Sequence, residues 1–251
     1  MGKVLLITGA GGGLGSLVAL HEASNFSEMI LLDRQKEPLE KLARAVGSSN
    51  PVTVHVRVAD VSNESQLQTA LSSFDTVDGL VNAAGILGPV AKFGDDEWSA
   101  WKEAVTVNLI GNVAVCRFVL PKLIKSRRGK IVNFSGGGAA GIRIWHSAYA
   151  TAKAGMVKFT EILAAENPQI DANAIAPGAH NTGIWKTETH DQPPAKWADK
   201  PRFCDTVSFL LSEKSDGISG KLVHIYDKWE EFKPDTTKGE IYTLRRIEPK
   251  R

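Results

Sequence analysis

Cysteine is almost missing from this chain. Its two, Cys116 and Cys204, fit no metal-ligand or disulfide spacing, so a reducing compartment is expected and the cytoplasm is the expected location. The histidines, at 21, 55, 146, 180, 190 and 224, include no i, i+4 pair, and no metal is expected. Charge of one sign is missing too. A formal net charge of +2 over 251 residues sets up no field for nucleic acid or an anionic membrane, and neither is an expected partner. No apolar run approaches the roughly 18 residues of a membrane span. The opening Met1-Gly2-Lys3, ahead of Val4-Leu5-Leu6-Ile7, is too short for a signal peptide and runs straight into glycines. No internal repeat and no linker composition breaks the chain. One domain over 1–251, with a sizeable core, is the reading.

What the chain does have is alternation. Short runs rich in Val, Ile and Leu at 3–8, 29–33, 52–58, 79–82, 130–134, 171–175 and 221–225 read as strands. They are nearly continuous in apolar residues, as in parallel strands covered on both faces. Amphipathic stretches at 14–23, 37–46, 64–71, 96–124, 147–165 and 202–211 read as the helices between them. The fold class is therefore α/β, a doubly wound parallel sheet of Rossmann type with right-handed crossovers. Residues 183–201, with Trp185, His190, Pro193, Pro194 and Trp197, show no period and read as a substrate loop. A C-terminal tail begins near 226; its apolar run Ile241-Tyr242-Thr243-Leu244 is either a docked edge strand or arm, or part of a loose tail.

Between the first strand and the first helix stands Thr8-Gly9-Ala10-Gly11-Gly12-Gly13-Leu14-Gly15. Glycines there permit a tight turn and let the backbone approach a pyrophosphate at the helix N-terminus. Asp33 ends the second strand 18 residues after Gly15, where a carboxylate accepts the ribose hydroxyls of NAD and repels a 2′-phosphate. Arg34 argues the other way, toward a phosphate or toward stacking on adenine. NAD is the expected cofactor, ahead of NADP.

With these residues in place the chain resembles the short-chain dehydrogenase/reductase family, from residue 3 to about 223. The stretch from Thr8 to Gly15 is similar to the family's TGxxxGxG loop, with Gly9, Gly12, Gly13, Leu14 and Gly15 at the cofactor. Asp60-Val61 resembles the pair that closes over adenine, and Asn82-Ala83-Ala84-Gly85 the NNAG-type turn under the cofactor. Asn108 matches the family's helix-breaking asparagine. Tyr149-Ala150-Thr151-Ala152-Lys153 matches the catalytic YxxxK. Pro177-Gly178 with Thr182 matches the PGxxxT element that touches the nicotinamide amide. The resemblance implies hydride transfer between nicotinamide and a secondary alcohol or ketone, such as a sugar or polyol. It also implies a homodimer or homotetramer, built on the 147–165 and 96–124 helices.

The chemistry is readable in the residues. An unperturbed tyrosine has a pKa near ~10, and Lys153, one helical turn away on the same face, favours the phenolate. Tyr149 is thus the expected general base in oxidation and general acid in reduction. By resemblance, Lys153 also holds the nicotinamide ribose, and Asn108 anchors a water that relays protons to Lys153. One position departs from the family. The serine expected thirteen residues before the tyrosine is Gly136 here. Ser135 lies one residue early, on what a regular strand makes the opposite face, although the glycines after it leave the backbone free to swing; Ser147 is the other hydroxyl in range. In the loop before the catalytic helix, Arg143 offers a bidentate grip on a carboxylate or phosphate, and Trp145 an indole face for a sugar ring. An acyl-chain ketoreductase, which favours NADPH, and a weakly catalytic NAD-binding regulator are the rival readings.

Overall fold

The computed structural model describes residues 2–245. Seven strands form one parallel sheet: β1 (Val4–Thr8), β2 (Glu28–Asp33), β3 (Thr53–Val58), β4 (Gly79–Asn82), β5 (Lys130–Phe134), β6 (Asp171–Ala176) and β7 (Leu222–His224). Their order is β3-β2-β1-β4-β5-β6-β7. β1 pairs with β2 through Leu5↔Met29 and with β4 through Leu5↔Gly79. The strand order reverses between β1 and β4, which opens a crevice beyond their carboxyl ends, where ligands bind in sheets of this kind.

Successive side chains on β1 point to opposite faces, and each face buries its own core. Leu5 and Ile7 pack with Val18, Phe203, Val207 and Leu210 from α1 (Gly13–Glu22) and α7 (Lys200–Leu211), and α2 (Lys36–Ser49) adds Leu39 and Val46. Val4 and Leu6 pack with Leu67, Val115, Val119 and Leu163, contributed by α3 (Glu64–Leu71), α5 (Asn112–Leu123) and α6 (Ser147–Glu166). Asn63 caps α3 and Asp199 caps α7 by accepting N–H bonds from Gln66 and Arg202.

The stretch expected as one helix over 96–124 is three pieces. α4 (Trp98–Val105) gives way to a π-helical turn, Thr106–Gly111, before α5 begins. Residues 98–123 are long and apolar enough to cross a membrane by length and composition, although they hold no continuous apolar run of that length. Here the stretch packs beside the sheet, and its buried Asn108 and Asn112 bond to backbone carbonyls of the fold.

The C-terminal segment docks without becoming a strand. Trp229 and Phe232 are buried, and Phe232 meets Tyr242 at a ring distance of 4.6 Å. The Leu222 N–H donates to the Tyr242 carbonyl at 2.7 Å. Tyr242 itself has φ +56°, a left-handed conformation that cannot propagate a ladder. Arg245 and the Leu244 N–H then tie the arm to Glu161 on α6.

Candidate active site

A cavity of about 540 Å³ opens at the crevice and is lined by Gly9, Gly12, Asp33, Asp60, Ala84 and Lys153 among others. The glycine turn is shaped by close approach. Gly9 has φ +62°, and a β-carbon on it would stand 2.7 Å from the backbone of Ala84. A β-carbon on Gly15 would collide with the Gly9 carbonyl, and one on Gly13 would lie 2.7 Å from the Thr182 methyl. Gly12 forms the N-cap of α1 with no side chain to satisfy the first-turn N–H groups; its own N–H closes onto the Gly9 carbonyl at 3.0 Å, while Gly13 and Leu14 turn their N–H groups and the helix N-terminus to the cavity. These residues fit a dinucleotide diphosphate.

At the far end of this cavity the Asp33 carboxylate is held by two backbone donors, Gly11 N–H and Gln35 N–H, both at 3.0 Å. Arg34 lies beside it on the cavity wall. Burial opposes ionisation of Asp60, but bonds from the Ser62 hydroxyl and N–H and the nearby charge of Arg34 hold its carboxyl below the ordinary value. Val61 is buried against Gly111. Beneath the cavity floor, Asn82 donates to Asn133 at 2.9 Å, and Asn133 donates to Thr160 at 2.8 Å. The Ala84 N–H donates to Thr8, and Ala83, Ala84 and Gly85 complete the floor.

The catalytic candidates meet at the inner end. Lys153 Nζ donates to the Phe134 carbonyl at 3.0 Å and lies 5.5 Å from the Tyr149 ring centroid. Burial brings the lysine down to about 8. Tyr149 is buried as well, and burial raises its phenol above the usual value while the charge of Arg143 pulls it back. A lowered phenol was expected from Lys153; desolvation wins because charging a buried oxygen costs more than a cation more than 5 Å away returns. Asn108, inside the π turn, clasps Ile86 at both its carbonyl (2.7 Å) and its N–H (3.2 Å). A β-carbon on Gly85 would lie 2.6 Å from Asn108 Oδ1 and 3.6 Å from Lys153 Nζ, so the two side chains converge on that glycine.

A second cavity of about 640 Å³ adjoins the first. Leu14, Ser135, Tyr149, Pro177, Thr182 and Ile184 line both. Gly178, at φ +75°, turns the chain out of β6 against Ala198. Ser135 keeps strand register through its N–H bond to the Ile175 carbonyl, and its Oγ is buried without a hydrogen-bond partner among the described residues. Ser147 lines neither cavity; its hydroxyl accepts the Trp101 indole N–H at 3.0 Å. Trp98 stacks on Trp101 and stays largely exposed.

Arg143 does not wait for a substrate anion. Its Nε donates to Asp191 at 2.8 Å and its Nη2 to Glu188 at 2.7 Å. Glu188 also bonds His146 at 2.8 Å and accepts the His190 and Asp191 N–H groups; burial opposes these bonds, yet its carboxyl falls to about 2. His146, Glu188 and Asp191 bring ligand-type atoms within 4.8 Å of one another, but the guanidinium fills the cluster. Trp145, at φ +69°, stacks on His190 at 4.7 Å rather than opening a free face to a sugar. The 183–201 stretch is thus ordered by ion pairs that spacing did not reveal. Glu188, Asp191 and Tyr242 were missed as cavity residues, since none carries a periodic or motif signal.

A match to the short chain dehydrogenase family covers residues 3–193. The 3-oxoacyl-acyl-carrier-protein reductase of Aquifex aeolicus is 30% identical over 238 residues, covering 89% of this chain and 96% of that protein. The levodione reductase of Leifsonia aquatica is 32% identical over 254 residues, covering 89% and 92%. The crystal structure of NAD+-bound xylitol dehydrogenase superposes with a TM-score of 0.80 at 27% identity, covering 89% and 97%. The sheet order, the glycine turn and these relatives together place the chain in the short chain dehydrogenase family, as an oxidoreductase acting between secondary alcohols and ketones with a nicotinamide cofactor.

Proposed function

We propose that this enzyme is NAD-dependent and acts on an uncharged secondary alcohol or ketone, a polyol or sugar-like compound among them, with Tyr149 as acid/base. The observation that carries the reading is Tyr149 in the wall shared by the two cavities, with Lys153 beside its ring on the side of the first. Bound in the first cavity, the nicotinamide supplies or accepts the hydride. Tyr149 gives its proton to the carbonyl oxygen in reduction and takes it from the carbinol in oxidation. Lys153 holds positive charge beside the phenol and, with Asn108, lies on the side from which a proton is resupplied. Ser135 provides a hydroxyl whose hydrogen bond is unmet until substrate arrives. Gly9 to Gly15, Asp60-Val61, Asn82 to Gly85, Pro177, Gly178 and Thr182 form the cofactor's surroundings.

Two observations narrow the partner molecules. Asp33 is fixed at the cavity wall by two N–H donors, and its carboxylate favours ribose hydroxyls over a 2′-phosphate. Two carboxylates occupy Nε and Nη2 of Arg143, which leaves no bidentate grip for an anionic substrate. Both cysteines are buried and free, with thiols pushed up by burial to about 12 and about 11, consistent with a cytoplasmic enzyme. Exposed Ile110 and Ile162, beside α5 and on α6, supply apolar surface for a homodimer or homotetramer. Steady-state turnover with NAD and a panel of neutral diols and cyclic ketones tests the reading. Turnover confined to acyl thioesters with NADPH would replace it with the acyl ketoreductase.

A further inference from the structure

Gly136 leaves the active site without the hydroxyl that stands there in the related enzymes, yet a charged group approaches the same place from the other side. The Arg143 guanidinium carbon lies 5.8 Å from the Tyr149 ring centroid. A β-carbon on Gly137 would stand 3.7 Å from Arg143 Nη1, and one on Gly136 would stand 2.7 Å from the Tyr149 hydroxyl. Consecutive residues of one glycine run therefore carry the phenol and the guanidinium side by side. Gly138, at φ +91°, turns the run beneath them; a β-carbon there would lie 2.7 Å from Ala150. Nε and Nη2 of Arg143 are held by Asp191 and Glu188, whereas Nη1 makes no hydrogen bond among the described residues. The side chain lines the second cavity. The two carboxylates fix the guanidinium beside the Tyr149 ring and leave Nη1 unengaged among the described residues.

We propose that Arg143 is a catalytic residue of this enzyme: Nη1 donates to the substrate oxygen, and its charge stabilises the negative charge that builds on that oxygen and on the Tyr149 phenolate. This assignment rests on Tyr149 being the acid/base. In reduction the hydride reaches the carbonyl carbon, the phenolic proton reaches the oxygen, and the phenolate left behind faces Arg143 on one side and Lys153 on the other. A charged donor is worth roughly twice a neutral one, and it is preorganised here by ion pairs rather than by solvent. Glu188 and Asp191 temper that charge. His146 meets Glu188, and His180, His224, Asp227 and Tyr242 are the other titratable groups on the second cavity.

The test needs no substrate. Phenolate absorbance near 295 nm is followed against pH for each protein, and the curve of the same protein carrying Tyr149→Phe is subtracted, which leaves Tyr149 alone. In Arg143→Met the phenolate fraction at a given pH is expected to fall about tenfold. Arg143→Lys keeps most of it. Glu188→Gln, which leaves the arginine and removes one balancing carboxylate, moves the curve the opposite way, toward more phenolate. A merely structural Arg143 would let both substitutions loosen the loop and shift the curve alike. The proposal is overturned by an Arg143→Met curve matching the parent, or by Met and Gln variants shifting together. Should Arg143→Met fail to fold, the Lys and Gln variants still decide by their signs. Ordinary turnover in Tyr149→Phe would remove the acid/base assignment while leaving the titration result standing.

Discussion

Gly136 lies directly beneath the hydroxyl of Tyr149, so close that a β-carbon at 136 would come within 2.7 Å of the phenolic oxygen. The phenol thus takes space that a side chain at 136 needs. Gly136→Ser is expected to displace the phenol and lower kcat, not restore a missing function. Ser135→Ala removes the unpartnered hydroxyl instead, and a loss of about 10²-fold in kcat with little change in NADH affinity is expected. Single-turnover rates with both variants check this; a silent Ser135→Ala would leave Arg143 as the only donor opposite Tyr149.

Isothermal titration should show NADH binding at least about tenfold tighter than NADPH, or ~1.4 kcal/mol. Asp33→Ser should narrow that ratio from the NADPH side, because it removes the carboxylate that opposes a 2′-phosphate. Equal affinities in the parent enzyme would mean that Arg34 governs this end of the cavity.

Tyr149→Phe is expected to lose about 10²–10⁴-fold in turnover and keep NADH binding. Lys153→Ala should lose turnover and weaken NADH binding together. Fluorescence titration beside steady-state kinetics separates the two patterns.

Lys153 gives a stability effect whose sign follows from its burial. Its pKa is about 8 in the fold against an ordinary 10.5. Below about pH 8 both folded and unfolded chains hold the proton, and the fold bears the full cost of a buried ammonium. Between 8 and 10.5 only the unfolded chain holds it, so stability from this group rises with pH across that window. After allowing for the lost bond to the Phe134 carbonyl, Lys153→Met should stabilise the apoenzyme by about 2 kcal/mol at pH 7. The gain should shrink as pH climbs toward 10.5. Urea midpoints at pH 7 and pH 10 check the trend.

Far from the cavity, at the start of β6, Asp171 is fully buried between Arg128 and Lys130, the latter at 2.8 Å. Burial works against ionisation, but these bonds hold the carboxyl below its ordinary value of 3.8. Its stabilisation is present above that value and is lost as pH falls below it. Asp171→Ala leaves two cations without their shared partner and should cost about 3–5 kcal/mol, with NADH affinity unchanged in the variant that remains folded. Chemical denaturation and NADH titration on the same samples check both halves.

Much of this was legible before any coordinates. The β1 turn, Tyr149 and Lys153 could be placed because their signals are local: glycine spacing between a strand and a helix, and two residues one helical turn apart. The resemblance marked Asn108 as a helix breaker, but periodicity did not show the π turn around it, since the apolar residues keep a helical period on either side. Arg143 was recognised as a cavity residue but given a substrate anion as its partner, because Glu188 and Asp191 stand more than forty residues away in a stretch without a pattern. Ser147, two residues before Tyr149, faces Trp101 on α4 and lines neither cavity, a packing that spacing along the chain does not show. Left-handed Tyr242 kept the last apolar run from pairing as a strand, a backbone choice that residue types alone do not announce.

The π turn at Thr106–Gly111 also bears on which lengths of this chain can exist. A wide turn of this kind absorbs one surplus residue inside a helix, leaving the helical faces before and after it in phase. Shortening the segment by one residue would therefore heal the helix and keep Val115 and Val119 against the sheet, while carrying Asn108 away from Ile86 and Lys153. The fold would survive that deletion, and the proton route proposed for Asn108 and Lys153 would not. Length at this point is held by the chemistry, and the core is indifferent to it.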